Sequence, residues 1–175
     1  MTIHSKIAPV GIDDRLLMFQ TKLNNLSWTN TEVYGRLYIT ERVINKSEYK
    51  IAEAYDTAGE YKEIFIDDTK TAVFGFIVGD TISSSVPGIK VPVKMICSCN
   101  IDALYGSVER KDEETMLLVL KTVSSLLPGN EEKTINKKMA DVFSEISYEK
   151  FKFRDMQPWF NFSISFNLSY SNSNC

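Results

Sequence analysis

The sequence has few of the residues on which most enzyme active sites depend. Its 175 residues include one histidine, His4, and three cysteines, of which Cys175 is the last residue. A single histidine excludes most Ser–His and Cys–His catalysis and most histidine-rich metal sites. Three cysteines in this arrangement are not a secreted disulfide framework. We therefore expect the chain to be made and kept in a reducing cytoplasm.

The chain also lacks a charged run of one sign and a long apolar run. Its formal net charge is −3, and its lysines and arginines are spread thinly. Specific binding to nucleic acid needs a basic face, so that function is disfavoured. No segment has the length of a signal peptide core or of a membrane span, so we expect a protein that does not associate with a membrane. With 43% hydrophobic and 25% charged residues, the chain has the composition of a soluble globular domain.

No nucleotide-binding motif is present. Gly75 and Gly79 are not followed by a helix that begins with Lys-Ser or Lys-Thr, as a phosphate-binding loop requires. Two acidic pairs occur, Asp13-Asp14 and Asp67-Asp68. A small cytoplasmic metal-dependent nuclease, with Asp67-Asp68 of "IFIDDTK" holding Mg²⁺, is the alternative function. No second strand with an acid and a lysine accompanies this pair, so we predict that Asp67 and Asp68 are turn residues. We predict no catalytic, cofactor-binding or metal-binding residue in the chain.

Two segments have the apolar spacing of amphipathic helices that pack on a sheet. The first covers residues 13–27, with Asp13 or Asp14 as the predicted N-cap. The second covers residues 112–127, with acidic residues in its first turn and Pro128-Gly129 after it. A third helix is predicted from Asn130. Its apolar side would consist of Ile135, Met139, Val142, Phe143 and Ile146.

The remaining segments have the texture of β-strands. Short runs rich in Val, Ile, Tyr and Phe, from "EVYGRLYIT" to "TAVFGFIVG", are separated by turn residues such as "NKS" and "DTAGE". Residues 80–90, "DTISSSVPGIK", are predicted to form an exposed loop or hairpin tip. The last strand, "WFNFSISFNLSY", alternates apolar and polar residues, which predicts a core on one side and water or a polar partner on the other.

The Cys-x-Cys pair in "KMICSCN" has the form of a metal or redox motif. Cys97 and Cys99 belong to a period-two row with Val91, Val93 and Met95, so both thiols face the apolar side of a strand. A metal would need further ligands, and no second Cys pair or usable histidine supplies them. We predict that both cysteines are buried packing residues, with metal or redox use as the alternative.

The order of these elements predicts an α+β fold with a mainly antiparallel sheet and helices packed on one face. We expect residues 1–175 to form a single domain, in which residues 1–10 and 171–175 are loose and residues 80–90 are an exposed loop.

The C-terminal half resembles the tail-terminator and neck-ring proteins of tailed bacteriophages. A strand, "VKMICSCNIDAL", leads into an acidic-started helix, "RKDEETMLLVLKTVSSLL", and a Tyr-containing link then leads through a Trp into a long final strand. Tyr148, Asp155 and Trp159 occupy the places of the family's link residues. The match covers about residues 85–170. The added β-structure in residues 40–90 is similar to the enlarged ring proteins of crAss-like phages of gut Bacteroidetes.

The resemblance implies a structural, non-enzymatic role and a tail-terminator-like fold. Proteins of that family assemble head-to-tail into a closed six-fold or twelve-fold ring, next to portal, adaptor, neck or tail proteins. DNA passes through such a ring without specific binding, which suits the weakly acidic charge. We expect the contacts between subunits or rings to lie in the 80–90 loop, the 40–70 hairpins and the C-terminal tail. A binding module for a host protein would have a similar sequence pattern and stays a further alternative.

Overall fold

The computed structural model describes residues 1–56, 59–80, 83–85, 88–106, 110–129 and 131–170. Its helical elements are α1 (Ile12–Asn24), α2 (Ile101–Tyr105), α3 (Asp112–Ser124), α4 (Met139–Val142) and a 3₁₀ segment (Tyr148–Asp155). The strands are β1 (Thr2–His4), β2 (Thr31–Ile44), β3 (Ser47–Tyr55), β4 (Tyr61–Glu63), β5 (Ala72–Val78), β6 (Ser83–Ser85), β7 (Gly88–Asn100), β8 (Thr134–Asn136) and β9 (Trp159–Tyr170). None of the helices within these ranges is long and apolar enough to cross a membrane.

All nine of these strands belong to one mixed sheet. Its order is β4-β3-β2-β5-β7-β9-β8, with β1 beside β2 and β6 beside β7. Neighbouring strands are antiparallel except for the pairs β1–β2 and β2–β5. The longest pairing joins β7 to β9, from Ile89↔Tyr170 to Asn100↔Trp159. The α+β class with a mostly antiparallel sheet is therefore confirmed.

The first face of the sheet is apolar and is covered by α1 and α3. Period-two alternation places one row of each central strand on this face, and the apolar stripes of the two helices pack against these rows. The buried residues of this core include Leu16, Phe19, Leu23, Phe74, Phe76, Met95, Cys97, Val119, Phe162 and Ile164.

The second face is covered over only part of its length, by the chain from residue 139 to 155. Phe65, Phe143 and Phe151 form an aromatic group here, with Phe143 and Phe151 ring centroids 5.1 Å apart. The prediction of helices on one face is therefore wrong. Apolar spacing in this segment indicated a helix, but a periodic pattern does not tell which face of the sheet an element covers.

The predicted helix from Asn130 is also wrong. Ile135 lies on the short strand β8 opposite Ile164 of β9, and only Met139–Val142 is α-helical. Met139, Val142, Phe143 and Ile146 are buried as expected. Here short turns bury apolar residues that lie three or four positions apart in the sequence. A longer helix buries residues at nearly the same spacing, so the pattern did not distinguish the two.

The N-terminal segment is more ordered than predicted. Residues 1–10 were expected to be loose, yet Thr2–His4 forms a parallel strand beside β2 and His4 is buried. Helix α1 is capped by Gly11 at φ +60°, so the N-cap prediction for Asp13 or Asp14 is wrong. Asp13 lies in the first turn instead and accepts a hydrogen bond from Lys6 at 2.8 Å.

Two further expectations fall partly or wholly beyond the described ranges. In the predicted 80–90 loop, β6 pairs with the start of β7, from Ser83↔Lys90 to Ser85↔Gly88, which is a hairpin. The predicted loose tail, residues 171–175, lies outside the described residues.

Candidate functional site

The sheet divides into two arms at the end where β2, β5 and β9 finish, which we call the distal end. The pairing of β2 with β5 stops at Leu37↔Ile77, and that of β5 with β7 stops at Val78↔Val93. Beyond these positions no strand within the described residues joins β2 to β7. The distal end is therefore a fork in the sheet.

One side of the fork, the hairpin arm, is the β2–β3 hairpin. Its strands pair from Tyr38↔Glu53 to Ile44↔Ser47. The two turn residues, Asn45 and Lys46, have φ of 51° and 66°, as a tight hairpin turn with the strand twist requires. Val43 near the tip is 71% exposed. This arm presents an apolar side chain and a backbone edge to solvent.

The other side, the C-terminal arm, consists of the ends of β7 and β9 with β6. Val91↔Leu168 and Lys90↔Ser169 pair within it. Its inner core position, Leu168, is buried. The arm is therefore an extension of the central pairing of the sheet, held by apolar packing on the first face.

The outermost strands leave the lateral edges of the sheet uncovered only near their last residues at the distal end. Within the described residues, β4 pairs with β3 only at Glu53–Tyr55, and β8 pairs with β9 only at Ser163–Ser165. At Lys50 the edge of β3 is closed by Ser147, whose N–H donates to the Lys50 carbonyl at 2.7 Å. At Asn167 the edge of β9 is closed by Glu131, whose carboxylate accepts a hydrogen bond from the Asn167 N–H at 3.3 Å. Backbone groups of uncovered edge strands are available to pair with another chain.

A groove of about 800 Å³ lies on the second face below the fork. The groove contains apolar side chains and six charged ones, three basic and three acidic. It is lined by Arg36, Leu37, Tyr38, Ile39, Lys50, Ile77, Val78, Gly79, Asp80, Pro92, Val93, Lys94, Glu132, Thr134, Glu145, Ser165, Phe166 and Asn167. Because both signs of charge are equally represented, the groove is not a phosphate-binding surface.

Two glycines allow close packing beside and beneath this groove. A Cβ atom at Gly75 would lie 2.7 Å from Leu37 Cδ2, and one at Gly79 would lie 2.7 Å from Pro92 Cγ. Each glycine therefore lets a side chain of the next strand lie flat across the sheet. The sequence carried this signal, because glycine inside an apolar strand often marks such a close approach.

Lys94 closes the inner end of the groove. Its Nζ donates to the Asp141 carbonyl at 2.7 Å and to Ser144 Oγ at 2.9 Å, and it pairs with Glu145 at 2.8 Å. These contacts hold the α4 segment against β7. The groove thus begins where the cover of the second face ends.

Arg154 anchors the covered part of the second face. Its side chain is fully buried and donates to the carbonyl of Phe65 at 2.6 Å, the carbonyl of Asp67 at 2.5 Å and Ser98 Oγ at 3.0 Å. The guanidinium also lies 3.9 Å from the centroid of the Trp159 ring. Burial lowers the pKa of Arg154 to about 10, which leaves it charged at neutral pH. No sequence pattern marked this residue.

The structure places two of the three link residues of the bacteriophage resemblance, Asp155 and Trp159, beside Arg154. Tyr148 and Asp155 are the ends of the 3₁₀ segment, and Trp159 is the first residue of β9. Asp155 and Trp159 line a cavity of about 100 Å³ together with Arg154. The link is thus a structural joint between the cover of the second face and the last strand.

Cys97 and Cys99 are buried in the apolar row of β7, as predicted. Burial raises the pKa of the Cys97 thiol, with the hydrogen bond to Cys99 acting in the same direction. The Cys99 thiol donates to the Phe160 carbonyl at 3.5 Å. Buried thiols in this setting are packing residues of the core.

The acidic pair Asp67-Asp68 lies in a turn, as its sequence suggested. Asp67 Oδ1 accepts hydrogen bonds from Thr69 Oγ1 at 2.6 Å and from the Thr69 N–H at 2.9 Å. The hydroxyl of Thr69 thereby lowers the pKa of Asp67. Among the described residues, no three His, Cys, Asp or Glu side chains form a group that could hold a metal ion.

A comparison of the chain with protein families, with curated proteins and with solved structures found no match.

Proposed function

We propose that this protein is a structural component of a tailed bacteriophage particle. It forms a homo-oligomeric ring in the head–tail connector, or neck, or at the end of the tail, and DNA passes through the ring. Its partners are further copies of itself and the neighbouring portal, adaptor, neck or tail proteins. It is assembled in the host cytoplasm and resides in the virion.

The observation that carries this proposal is the pair of lateral edges at the distal end. The outer edges of β3 and β9 lie on opposite sides of one sheet, and β4 and β8 stop short of both. Pairing of the β3 edge of one copy with the β9 edge of the next would be heterologous. Such head-to-tail contacts close into rings when the rotation between copies allows it.

The charge of the molecule also supports a ring around DNA. The chain has a formal net charge of −3, and several of its described basic and acidic side chains form local ion pairs, such as Lys90–Glu131 and Arg42–Glu53. A lumen of this character does not neutralise phosphates, so DNA would slide through it.

The assembly experiment uses the purified full chain at increasing concentration. Native mass spectrometry should detect a closed species with six or twelve copies, and negative-stain microscopy should show rings with a central hole. A strict monomer at every concentration would contradict the proposal. The same sample, incubated with plasmid DNA and Mg²⁺, tests the alternative function: cleavage that Asp67→Ala abolishes would establish a nuclease in its place.

A further inference from the structure

The only histidine of the chain is buried on the N-terminal strand without a hydrogen-bond partner. His4 is 6% exposed and lies opposite Tyr34 in the parallel β1–β2 pairing. Its ring stacks on the Tyr34 ring, with centroids 4.4 Å apart and planes at 15°. Within the described residues, neither Nδ1 nor Nε2 has a partner, although both atoms are buried. The ring is thus held by stacking on Tyr34, and the backbone of His4 is held by Gln20, whose Nε2 donates to the His4 carbonyl at 2.8 Å.

The nearest carboxylate is already engaged by other groups. Glu32 Oε1 lies 3.8 Å from His4 Nε2, which is beyond hydrogen-bond distance. Glu32 pairs with Lys70 at 2.8 Å and accepts a hydrogen bond from the Tyr34 hydroxyl. A protonated His4 would therefore compete with Lys70 and the Tyr34 hydroxyl for the Glu32 carboxylate.

The other charged groups around the ring cancel each other. Lys62 on β4 and Asp56 after β3 form an ion pair at 3.9 Å, and the Lys62 Nζ lies 5.5 Å from the Tyr34 ring centroid. Lys62 and Lys70 oppose a positive charge on His4, whereas Asp56 and Glu32 favour it. Desolvation of the ring is larger than any of these contributions.

We propose that His4 is a proton-operated latch for the N-terminal strand: protonation of its imidazole releases Thr2–His4 from β2. The protonated ring would carry two N–H donors and a charge in a buried site whose nearest carboxylate is engaged by Lys70 and Tyr34, and the cavity of about 20 Å³ beside the ring has room for about one water molecule. Exposure of the ring to solvent satisfies both donors. Because β1 has only three residues, the cost of the charge falls on a short pairing.

The direction of the pH effect follows from the burial of the ring. Burial lowers the pKa of His4 below its ordinary value of about 6.5. The released strand thus binds the proton more tightly than the docked strand does. Docking is at full strength above about pH 6.5 and weakens as the pH falls below it.

Release of β1 would act on both arms of the fork through the loop that follows it. Lys6 donates to the Tyr38 hydroxyl on the hairpin arm at 3.1 Å. At the other end of this loop, a Cβ atom on Gly11 would lie 3.5 Å from the Tyr170 ring on the C-terminal arm. The latch therefore controls a loop that contacts both arms. This inference stands on the contacts of β1 and does not depend on the proposed function.

Amide hydrogen exchange of the full chain tests the latch. We expect the amides of Thr2–His4 to lose protection between about pH 7.5 and about pH 5.5, after correction for intrinsic exchange rates, whereas those of β7 and β9 stay protected. His4→Phe is the matched variant, because phenylalanine stacks on Tyr34 and does not titrate. It should keep β1 protected at both pH values. Equal protection of wild-type β1 at both pH values, or the same loss in His4→Phe, would overturn the proposal.

A second measurement needs no variant and decides the case if His4→Phe does not fold. The chain has one histidine, so its NMR titration gives one imidazole curve. We expect a midpoint below about 6.5, accompanied by the chemical shifts of a solvent-exposed ring after protonation. A midpoint above that value, with β1 more protected in acid, would mean that His4 pairs with Glu32, and the proposal would be wrong.

Discussion

Both faces of the central sheet bury an apolar core, but the second face also buries the charged side chain of Arg154. The first face is covered along its length by α1 and α3, and its core is aliphatic and aromatic. Part of the second face is covered by residues 139–155, which surround the buried guanidinium of Arg154. The second face is open at the distal end. The first face should tolerate substitutions better, since apolar packing has no preferred direction. The second face depends in addition on a few directed hydrogen bonds. The part of the second face that has no cover is where a partner has room to bind.

The largest effect should come from removal of the guanidinium on the second face. Arg154→Met leaves the carbonyls of Phe65 and Asp67 and the hydroxyl of Ser98 without their donor. We expect the free energy of unfolding to fall by about 3 kcal/mol or more, measured by urea denaturation.

The matched control for this variant is Arg42→Met on the hairpin arm. Arg42 pairs with Glu53, and its side chain is 51% exposed. Its loss should cost at most about 1 kcal/mol. If Arg154→Met were as stable as Arg42→Met, the second face would not depend on directed contacts, and the contrast between the faces would fail.

A smaller effect is expected where the strands approach each other closely beside the groove. Gly75→Ala would place a Cβ atom 2.7 Å from Leu37, so Leu37 would have to move from its position in the groove lining. We expect a loss of about 1–3 kcal/mol in thermal or urea unfolding. Gly129→Ala is the control, because no described atom lies within 4 Å of its Cβ position. Equal stability of the two variants would mean that the sheet relaxes around Leu37 without cost.

The last pair of variants should change the free energy of unfolding least, but they should differ clearly in assembly. Val43→Lys, at the tip of the hairpin arm, and Leu117→Lys, on α3, both replace an exposed apolar residue. Each should change the free energy of unfolding by no more than about 0.5 kcal/mol. Sedimentation velocity should show weaker association for Val43→Lys alone, since Val43 lies opposite Glu48 of the edge strand β3 and a lysine there would stand beside the proposed contact. Weaker association for Leu117→Lys alone would move the interface to the helical side.

The elements with long periodic patterns could be predicted from the sequence. Helices α1 and α3, the burial of Cys97 and Cys99, and the final strand Trp159–Tyr170 follow from alternation or helical spacing within one segment. In each case the residues that form the pattern also form the contacts. Local sequence was therefore sufficient.

The cover of the second face could not be predicted, because its contacts join distant parts of the chain. Arg154 bonds to residues 56 to 89 positions away. The cover itself is made of short turns, whose apolar spacing predicts one longer helix. The burial of His4 was missed for a related reason, since a three-residue strand has too few positions to show a period. The groove depends on where strand pairing stops, which is a property of the whole sheet.

The pairing of one edge with the other is tested most directly by a disulfide between neighbouring copies. Glu48→Cys on β3 and Ser169→Cys on β9 place exposed thiols on the two lateral edges, in a chain that also carries Cys175→Ser. Each single variant serves as a control that can form dimers at most. The measurement is the mass of the oxidised double variant under denaturing conditions.

We predict a ladder of covalent oligomers that ends at one closed species of six or twelve copies. A ladder is expected because each copy contributes one edge of each kind. Dimers alone would indicate a two-fold contact of identical edges, and uncrosslinked monomers would indicate that the edges do not meet. Either result would contradict the head-to-tail ring.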